Sequence, residues 1–474
     1  MLGHLIRKEI LDHLLSLRFL ILSALAGLII WLSLYSGYGY YRDCLRDSRL
    51  AQATQEDRIR RIQTTESWEE LQQIGFEIHK PPIPMSIFVR GLEPILGRSI
   101  LHGSSTIREL KQSPEAAEPI QGIFPPMDLE LIVQTLLSLF VLLFTYDAIC
   151  GEKEAGTLRL TSSFPVSRDQ LLLGKLLGVL IPVNLALGLP LLLGLGVVLL
   201  MPEVRLANQE LMRLGLILFA FGIYLNTFAC AGLLASCLTH RAATSFVILL
   251  AFWVGSVVVL PRLSLIVANS VRPALSRFQY TIQKATIYRE SLDESRRLRW
   301  KWEDEHPEYA KGKPEVREAY AAFYRNMQKD LDERYKPRFD RLEQEFTNRY
   351  SSRLNLAASL ARLSPAFAVK NSTVFLAGTG VNRQQRFEQN YTQFNERWKE
   401  WNWVILERFN QKRFNPAKYG NYKWDVSDMP RFIYQDAWVG EDIQTALVDI
   451  GILALWGLAF FVGAYVAMLR YDLR

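Results

Sequence analysis

Gly151-Glu152-Lys153-Glu154-Ala155-Gly156-Thr157-Leu158, continued through Pro165-Val166-Ser167-Arg168 to Gly174-Lys175, is a polar segment wedged between two long apolar runs. Leu131 to Tyr146 precedes it and Leu176 to Pro202 follows it, and neither run contains a charged residue. Such runs read as membrane spans. A helix rising about 1.5 Å per residue needs about 20 apolar residues to cross a hydrocarbon layer roughly 30 Å thick. Between the runs, charged residues alternate with Leu158, Leu160, Leu171 and Leu172, the pattern of a short amphipathic element at a membrane face. One segment thus points to a helical membrane protein and to a patterned polar turn at one of its faces.

Working outward, the sequence reads as an all-α integral membrane protein with six spans at residues 19–41, 128–147, 176–202, 214–239, 242–266 and 443–469. A mean hydropathy of +0.05 averages these blocks with segments dense in Arg, Lys, Glu and Asp. The second span is the shortest in its uncharged part. Pro182 and Pro190 fall inside the third, where each removes an intrahelical donor. The first apolar run follows a charged, helix-like start and lacks a small-residue cleavage site, so it is expected to be a retained span and not a signal peptide.

Lys and Arg in the short flanks set the orientation. Arg7, Lys8 and Arg18 precede span one, and Lys153, Arg159, Arg168 and Lys175 lie between spans two and three. His240 and Arg241 lie between spans four and five, and Arg470 and Arg474 follow span six. With six alternating spans these all fall on one side, opposed in a short loop only by Arg205 and Arg213. Both termini are expected in the cytoplasm, and the two long inserts, residues 42–127 and 267–441, outside. A net charge of +7 in 474 residues is diffuse. It suits an anionic lipid bilayer, and no basic stripe points to nucleic acid.

Residues 1–18 place Leu2, Leu5, Ile6, Ile10, Leu14 and Leu15 on one helical side, with Arg7, Lys8, Glu9, Asp12 and His13 elsewhere. That pattern fits a helix lying in the membrane interface, an ordinary cytosolic helix being the blander reading. In the first insert, Gln52 to Gln73 is helix-forming, and Lys80-Pro81-Pro82-Ile83-Pro84 reads as an extended linker. The larger insert is mainly helical in pattern. From Tyr320 through Met327, Leu331, Tyr335, Leu342 and Phe346 to Leu354, apolar residues recur every three or four positions, and Pro337 is expected to bend the helix. A helix at about 273–305 is its expected antiparallel partner. Trp398, Trp401, Trp403, Trp424 and Trp438 read as core or interface anchors before they read as a ligand platform.

No catalytic constellation emerges. The six histidines are scattered and have no metal-ligand spacing, so no metal and no cofactor are assigned to this chain. Gly174-Lys175 is followed by Leu176, and Asp169 stands where a phosphate loop needs its first glycine, so the chain has no nucleotide-binding loop. Of four cysteines only Cys44 falls in an insert, which leaves neither insert an internal disulfide. The triplets at Asn371 and Asn390 match glycosylation acceptors that arise often by chance. Asn184 and Asn226 fall within spans, where an amide faces protein or a wet path. Contact between helices is the commoner reading there, over substrate contact. Asp147 sits where span two emerges and reads as an interface or hinge residue.

The order Glu154-x-Gly156-Thr157-Leu158, then Pro165-Val166-Ser167-Arg168, then Gly174-Lys175, resembles the cytoplasmic coupling segment of type-2 ABC exporter permeases. The opening Leu5-Ile6-Arg7-Lys8-Glu9 and the six spans agree with it. Leu363-Ser364-Pro365-Ala366 and Ala377-Gly378-Thr379-Gly380 are similar to a subgroup with large extracytoplasmic inserts, the permeases associated with multicopper-enzyme maturation, whereas typical members of the wider family have only small outer loops. The resemblance implies a permease subunit in the inner membrane, paired with an identical or different second permease. Two separate ATPase subunits, carrying ATP and Mg, would dock beneath the pair. It also implies that Glu152 to Arg168, within a cytoplasmic coupling segment at 148–175, seats in a cleft of the ATPase and moves spans one, two and five, with Glu152, Glu154, Gly156, Thr157, Pro165 and Arg168 as coupling residues. The plainer alternatives are a helix-ending role for Gly156 and lipid phosphate for Arg168. A competing class is an envelope assembly or force-transmitting protein whose inserts hold an extracytoplasmic protein partner without cargo crossing.

Overall fold

In the computed structural model, residues 2–64, 76–102, 110–111, 127–158, 168–273, 275–311, 314–414, 428–435 and 440–470 are described. Among these described residues, six helices are long and apolar enough to cross a membrane: Leu17–Arg61, Leu129–Glu154, Gln170–Leu199, Asn208–Leu238, Ala242–Val271 and Asp442–Arg470. The fold is that of an all-α, multi-pass membrane protein. Helices suit this solvent because each satisfies its own backbone polar groups where water is absent.

Span one runs past its expected end at Tyr41. Its helix, Leu17–Thr64, is 48 residues long, about 72 Å at the α-helical rise. The stretch from Arg42 to Thr64 is rich in Arg, Gln, Leu and Ala and holds neither Gly nor Pro, so nothing local stops the helix. The edge at Tyr41 is a change of chemistry, not of secondary structure. Spans two and five each contain one π-helical turn, Val133–Leu137 and Gly255–Val259. Such turns free carbonyls for other partners. The Tyr224 hydroxyl donates to the Gln134 carbonyl at 2.8 Å, and Ser364 Oγ donates to the Ser256 carbonyl.

The chain divides into two compact units, the first made of Met1–Val259, Arg362–Asn410 and Ala417–Arg474, the second of Leu260–Ala361 and Gln411–Pro416. In the first, spans two and four are central, with 61% of each apolar window buried, against 17–29% for the other spans. Tyr224 and Phe228 of span four are fully buried. The insert at 267–441 does not fall in a single unit. Helix Pro365–Ala377 packs in the same core as the spans through Ala366, Ala368, Val369, Val374 and Leu376. Its small apolar residues allow close packing, and its polar groups find partners on spans. The Ala366 carbonyl accepts from Gln134 at 3.0 Å, Lys370 lies 3.6 Å from Glu130, and Asn371 donates to Asp449 at 2.6 Å.

The first insert holds a correction. Lys80 to Pro84 joins a strand to a short helix as an extended segment, but it is packed and not free, with Lys80 and Ile83 buried. Strands Phe76–His79, Ser99–His102 and Leu110–Lys111 form an antiparallel sheet, with Ile78 opposite Ile100 and Ile100 opposite Leu110. The Lys80 N–H continues the pairing to the Arg98 carbonyl at 2.8 Å. Beyond it Met85, Ile87, Phe88 and Val89 are buried, and Ile87 lies so close to Gly37 of span one that a side chain there would clash with its carbonyl. The prolines do extend the backbone locally, but the apolar residues that follow pull it into the core. Ile78 and Ile100 pack with Phe387, Phe394, Trp398, Trp401 and Ile405 of helix Val381–Phe414. Trp398 and Trp401 are thus core residues, Trp403 is exposed, and Trp424 and Trp438 lie outside the described residues.

In the second unit, helix Arg277–Glu305 lies antiparallel to helix Pro314–Ala361, as the periodicity requires. Trp302 meets Phe323, Glu294 binds Arg334 and Tyr335, Glu290 binds Arg338, and Tyr280 stacks on Phe346. Residue numbers fall on one helix as they rise on the other. Pro337 lies inside an uninterrupted helical run.

Candidate functional site

The segment from Asp147 to Leu158 begins where the helix Ser138–Thr145 ends. A turn leads into the short helix Cys150–Glu154, which stops at Gly156 with a φ of +72°. The Gly156 N–H closes the turn on the Lys153 carbonyl at 3.2 Å. The left-handed backbone there suits glycine and little else. Among the described residues nothing lies within 4 Å of where a Cβ would stand, so the cost of a side chain there is conformational. The helix-ending role is therefore real, and it gives the segment its shape.

Three contacts fasten this turn to the hairpin between spans four and five. Ser236 Oγ accepts from both the Ile149 and Cys150 N–H groups at 2.9 Å. Lys153 Nζ donates to the Cys237 and Thr239 carbonyls, covering groups that a helix C-terminus leaves unpaired. Glu154 accepts from the Ala242 N–H at 3.2 Å, at the positive end of the span-five helix. Arg18, at the start of span one, lies 3.5 Å from Asp147, with both side chains well exposed. That pair is worth little energetically, yet it marks the approach of span one.

The strongest link is inward. Lys175 of span three is almost fully buried, with its ammonium 2.7 Å from Glu152 and 3.2 Å from Glu9 of the N-terminal helix Leu2–Leu14. The N-terminal helix reaches it because Gly174 and Gly178 clear one face of span three. Side chains there would strike Leu5 and Glu9. Beneath the charges lies an apolar layer of Ile149, Leu158, Leu171, Leu172 and Leu233, closed from span six by Ala464 and Met468. Burial also holds the His13 imidazole of the N-terminal helix below its ordinary value, which leaves it neutral at neutral pH.

Glu152, Glu154, Gly156 and Thr157 are thus brought together, but they do different things. Glu152 turns inward to Lys175, and Glu154 is exposed yet caps span five. Ala155, Gly156 and Thr157 form an exposed tip. Pro165 lies outside the described residues, and Arg168 opens the span-three helix Arg168–Leu199. Asn184 and Asn226 meet elsewhere, 3.4 Å apart between spans three and four, while Asn184 also donates to the Leu180 carbonyl at 2.7 Å. Asn184 borders an otherwise apolar cavity of about 240 Å³. Sequence reasoning missed Glu9, Lys153, Lys175 and Ser236. The one available signal was the pair Gly174 and Gly178, four residues apart on one helical face.

Residues 4–299 match the family described as ABC-2 family transporter protein, and residues 277–435 match a domain of unknown function (DUF3526). A 117-residue stretch is 39% identical to the probable ABC transporter permease protein NosY of Pseudomonas aeruginosa, covering 23% of this chain and 38% of that protein. The NosY counterpart of Stutzerimonas stutzeri is 40% identical over 90 residues, 19% of this chain and 30% of that protein. The chain thus spans only 30–38% of the length of these curated relatives.

Proposed function

We propose, since this chain belongs to the ABC-2 family of transporter proteins, that it is the membrane-spanning permease subunit of an ATP-binding cassette exporter. ATP and Mg are handled by a separate ATPase dimer, and a second permease subunit pairs with this one. The protein sits in the inner membrane with both termini cytoplasmic. One observation carries the reading. The segment 147–158 offers an exposed tip while contacting spans one, three, four and five through Arg18, Lys175, Ser236 and Ala242; it shares an apolar cluster with Met468 of span six, and Lys175 links it onward to Glu9 of the N-terminal helix. A push on the tip by a closing ATPase would reach span five through Glu154. It would reach span three and the N-terminal helix through Glu152 and Lys175.

Purified alone, the chain should hydrolyse no ATP above background; robust turnover by the isolated chain would overturn the assignment. A cysteine at Ser351 should be labelled from outside intact cells, and its protection would overturn the orientation. A second reading, force transmission to an outer protein partner without cargo, is favoured by the second unit, which forms its own compact body. ATPase stimulation by cargo in liposomes supports export. A stable partner captured by the full-length protein, with no cargo effect, supports force transmission.

A further inference from the structure

Where span one leaves its uncharged run, three arginines follow on one helical face. The 23 residues from Phe19 to Tyr41 carry no charge and span about 34 Å as a helix, close to the hydrocarbon thickness. Arg42, Arg46 and Arg49 come next, spaced four and three residues apart, which aligns them on the continuing helix. All three lie within about 12 Å of axial rise beyond Tyr41, at the depth of lipid headgroups. They line an open groove of about 360 Å³, with Leu45 and Leu50 interleaved among them and Glu203 on the opposite wall.

The charges in this groove do not cancel. Among the described residues, no carboxylate lies within ion-pair distance of Arg46 or Arg49. Arg42 has only a 3.8 Å contact with its exposed neighbour Asp43, too long and too solvated to hold it. The Glu203 carboxylate is engaged by the Tyr38 hydroxyl at 2.9 Å. Three cations therefore face one occupied anion, beside aliphatic side chains, at the edge of the bilayer. Guanidinium groups bind phosphate oxygens in bidentate fashion, and the leucines suit the glycerol and first methylenes below a phosphate.

We propose that this groove is a binding site for the phosphate of an anionic phospholipid, held by Arg42, Arg46 and Arg49. Free phosphate would leave Leu45 and Leu50 without a role. The site depends neither on the transport reading nor on which way the termini face.

The test uses the full-length protein in nanodiscs or mixed micelles. Retention of phosphatidylglycerol is compared with that of phosphatidylcholine of the same chains, by native mass spectrometry and by competition with a fluorescent phosphatidylglycerol. Wild type should prefer the anionic lipid, and each Arg→Gln change should weaken retention about fivefold, with the Arg42→Gln/Arg46→Gln/Arg49→Gln variant losing about a hundredfold. The control Arg58→Gln/Arg60→Gln/Arg61→Gln, further along the same helix, should retain lipid as wild type does. Arg46→Gln alone keeps the test informative if the triple variant misfolds. Unchanged retention in Arg46→Gln or in the triple variant would overturn the site. So would equal loss in the control, which would mean diffuse surface charge. Displacement of the lipid by millimolar inorganic phosphate would also overturn it, since the groove would then be a plain anion site.

Discussion

Two clusters of buried charge lie towards opposite ends of the spans, and they are inverse in sign. At the end near the N-terminus, one ammonium, Lys175, is shared by the carboxylates of Glu9 and Glu152. At the other end, one carboxylate, Glu93, is shared by Arg383 at 3.0 Å and Lys80 at 3.9 Å, all three almost fully buried. Neutral groups extend the second cluster: Lys80 donates to Gln384, and Arg383 donates to the Pro81 carbonyl. Both clusters tie elements far apart in sequence. The difference lies in which group stands in the middle. Removing the central charge leaves two like charges facing each other with little access to water, whereas removing an outer one leaves a matched pair.

The largest expected effect tests that rule at its sharpest. Lys175→Met should destabilise the protein by about 3–5 kcal/mol, the usual penalty for stranding a buried charge. Adding Glu9→Gln and Glu152→Gln to it should restore most of the loss, because the apolar layer beneath is untouched. Chemical denaturation in detergent measures both. If the single variant is no less stable than the triple one, the carboxylates do not depend on Lys175 and the comparison fails.

Next in size is a pH effect confined to the other cluster. Burial holds the Lys80 ammonium down at about 8, with Glu93 opposing and Arg383 assisting, against an ordinary lysine near 10.4. The unfolded chain therefore binds more protons than the folded one between about pH 8 and 10.4. Stability from this group rises with pH across that window, by about 3 kcal/mol in full. Melting temperature followed from pH 7.5 to 10 should rise more in wild type than in Lys80→Met. Parallel profiles for the two proteins would show that Lys80 is not held charged at a cost.

Smaller effects separate the shape of the turn at 147–158 from its surface. Gly156→Val should cost about 1–2 kcal/mol, since an L-residue is strained at positive φ. It should also uncouple ATP hydrolysis from function while leaving the ATPase bound. Thr157→Arg should stay within about 0.5 kcal/mol of wild-type stability, as exposed substitutions do. It should nevertheless weaken co-purification of the ATPase about five- to a hundredfold. Wild-type docking in Thr157→Arg would mean that the tip faces no partner, leaving the segment 147–158 as scaffolding alone.

The two clusters were unequally legible. Near the N-terminus, the patterned turn from Glu152 to Thr157 stood out because charged residues interrupt an apolar context. Lys175, which organises it, showed as the end of that segment, as a flanking cation and as a failed phosphate-loop match, but not as a buried centre. Positions 9, 152 and 175 carry no mutual spacing, and only the packing of the N-terminal helix on Gly174 and Gly178 brings them together. The other cluster was invisible. Lys80 to Pro84 has the composition of a linker, and its burial depends on helix Val381–Phe414, some 300 residues away. The helix Pro365–Ala377 was hidden likewise, since a small apolar segment within a polar insert does not declare which core it joins.

Sequence alone determined the six spans, the polar turn between two of them, and the long antiparallel pair of the second unit. Each of these rests on a local rule, either the cost of charge in hydrocarbon or the repeat of an amphipathic helix. Tertiary structure alone decided that Glu152 faces inward, that the supposed linker is core, and that one stretch of the second insert lies among the spans. Those outcomes depend on partners. A buried charge or an extended segment is stable only where a distant part of the chain supplies its complement, and no local pattern records which part that is.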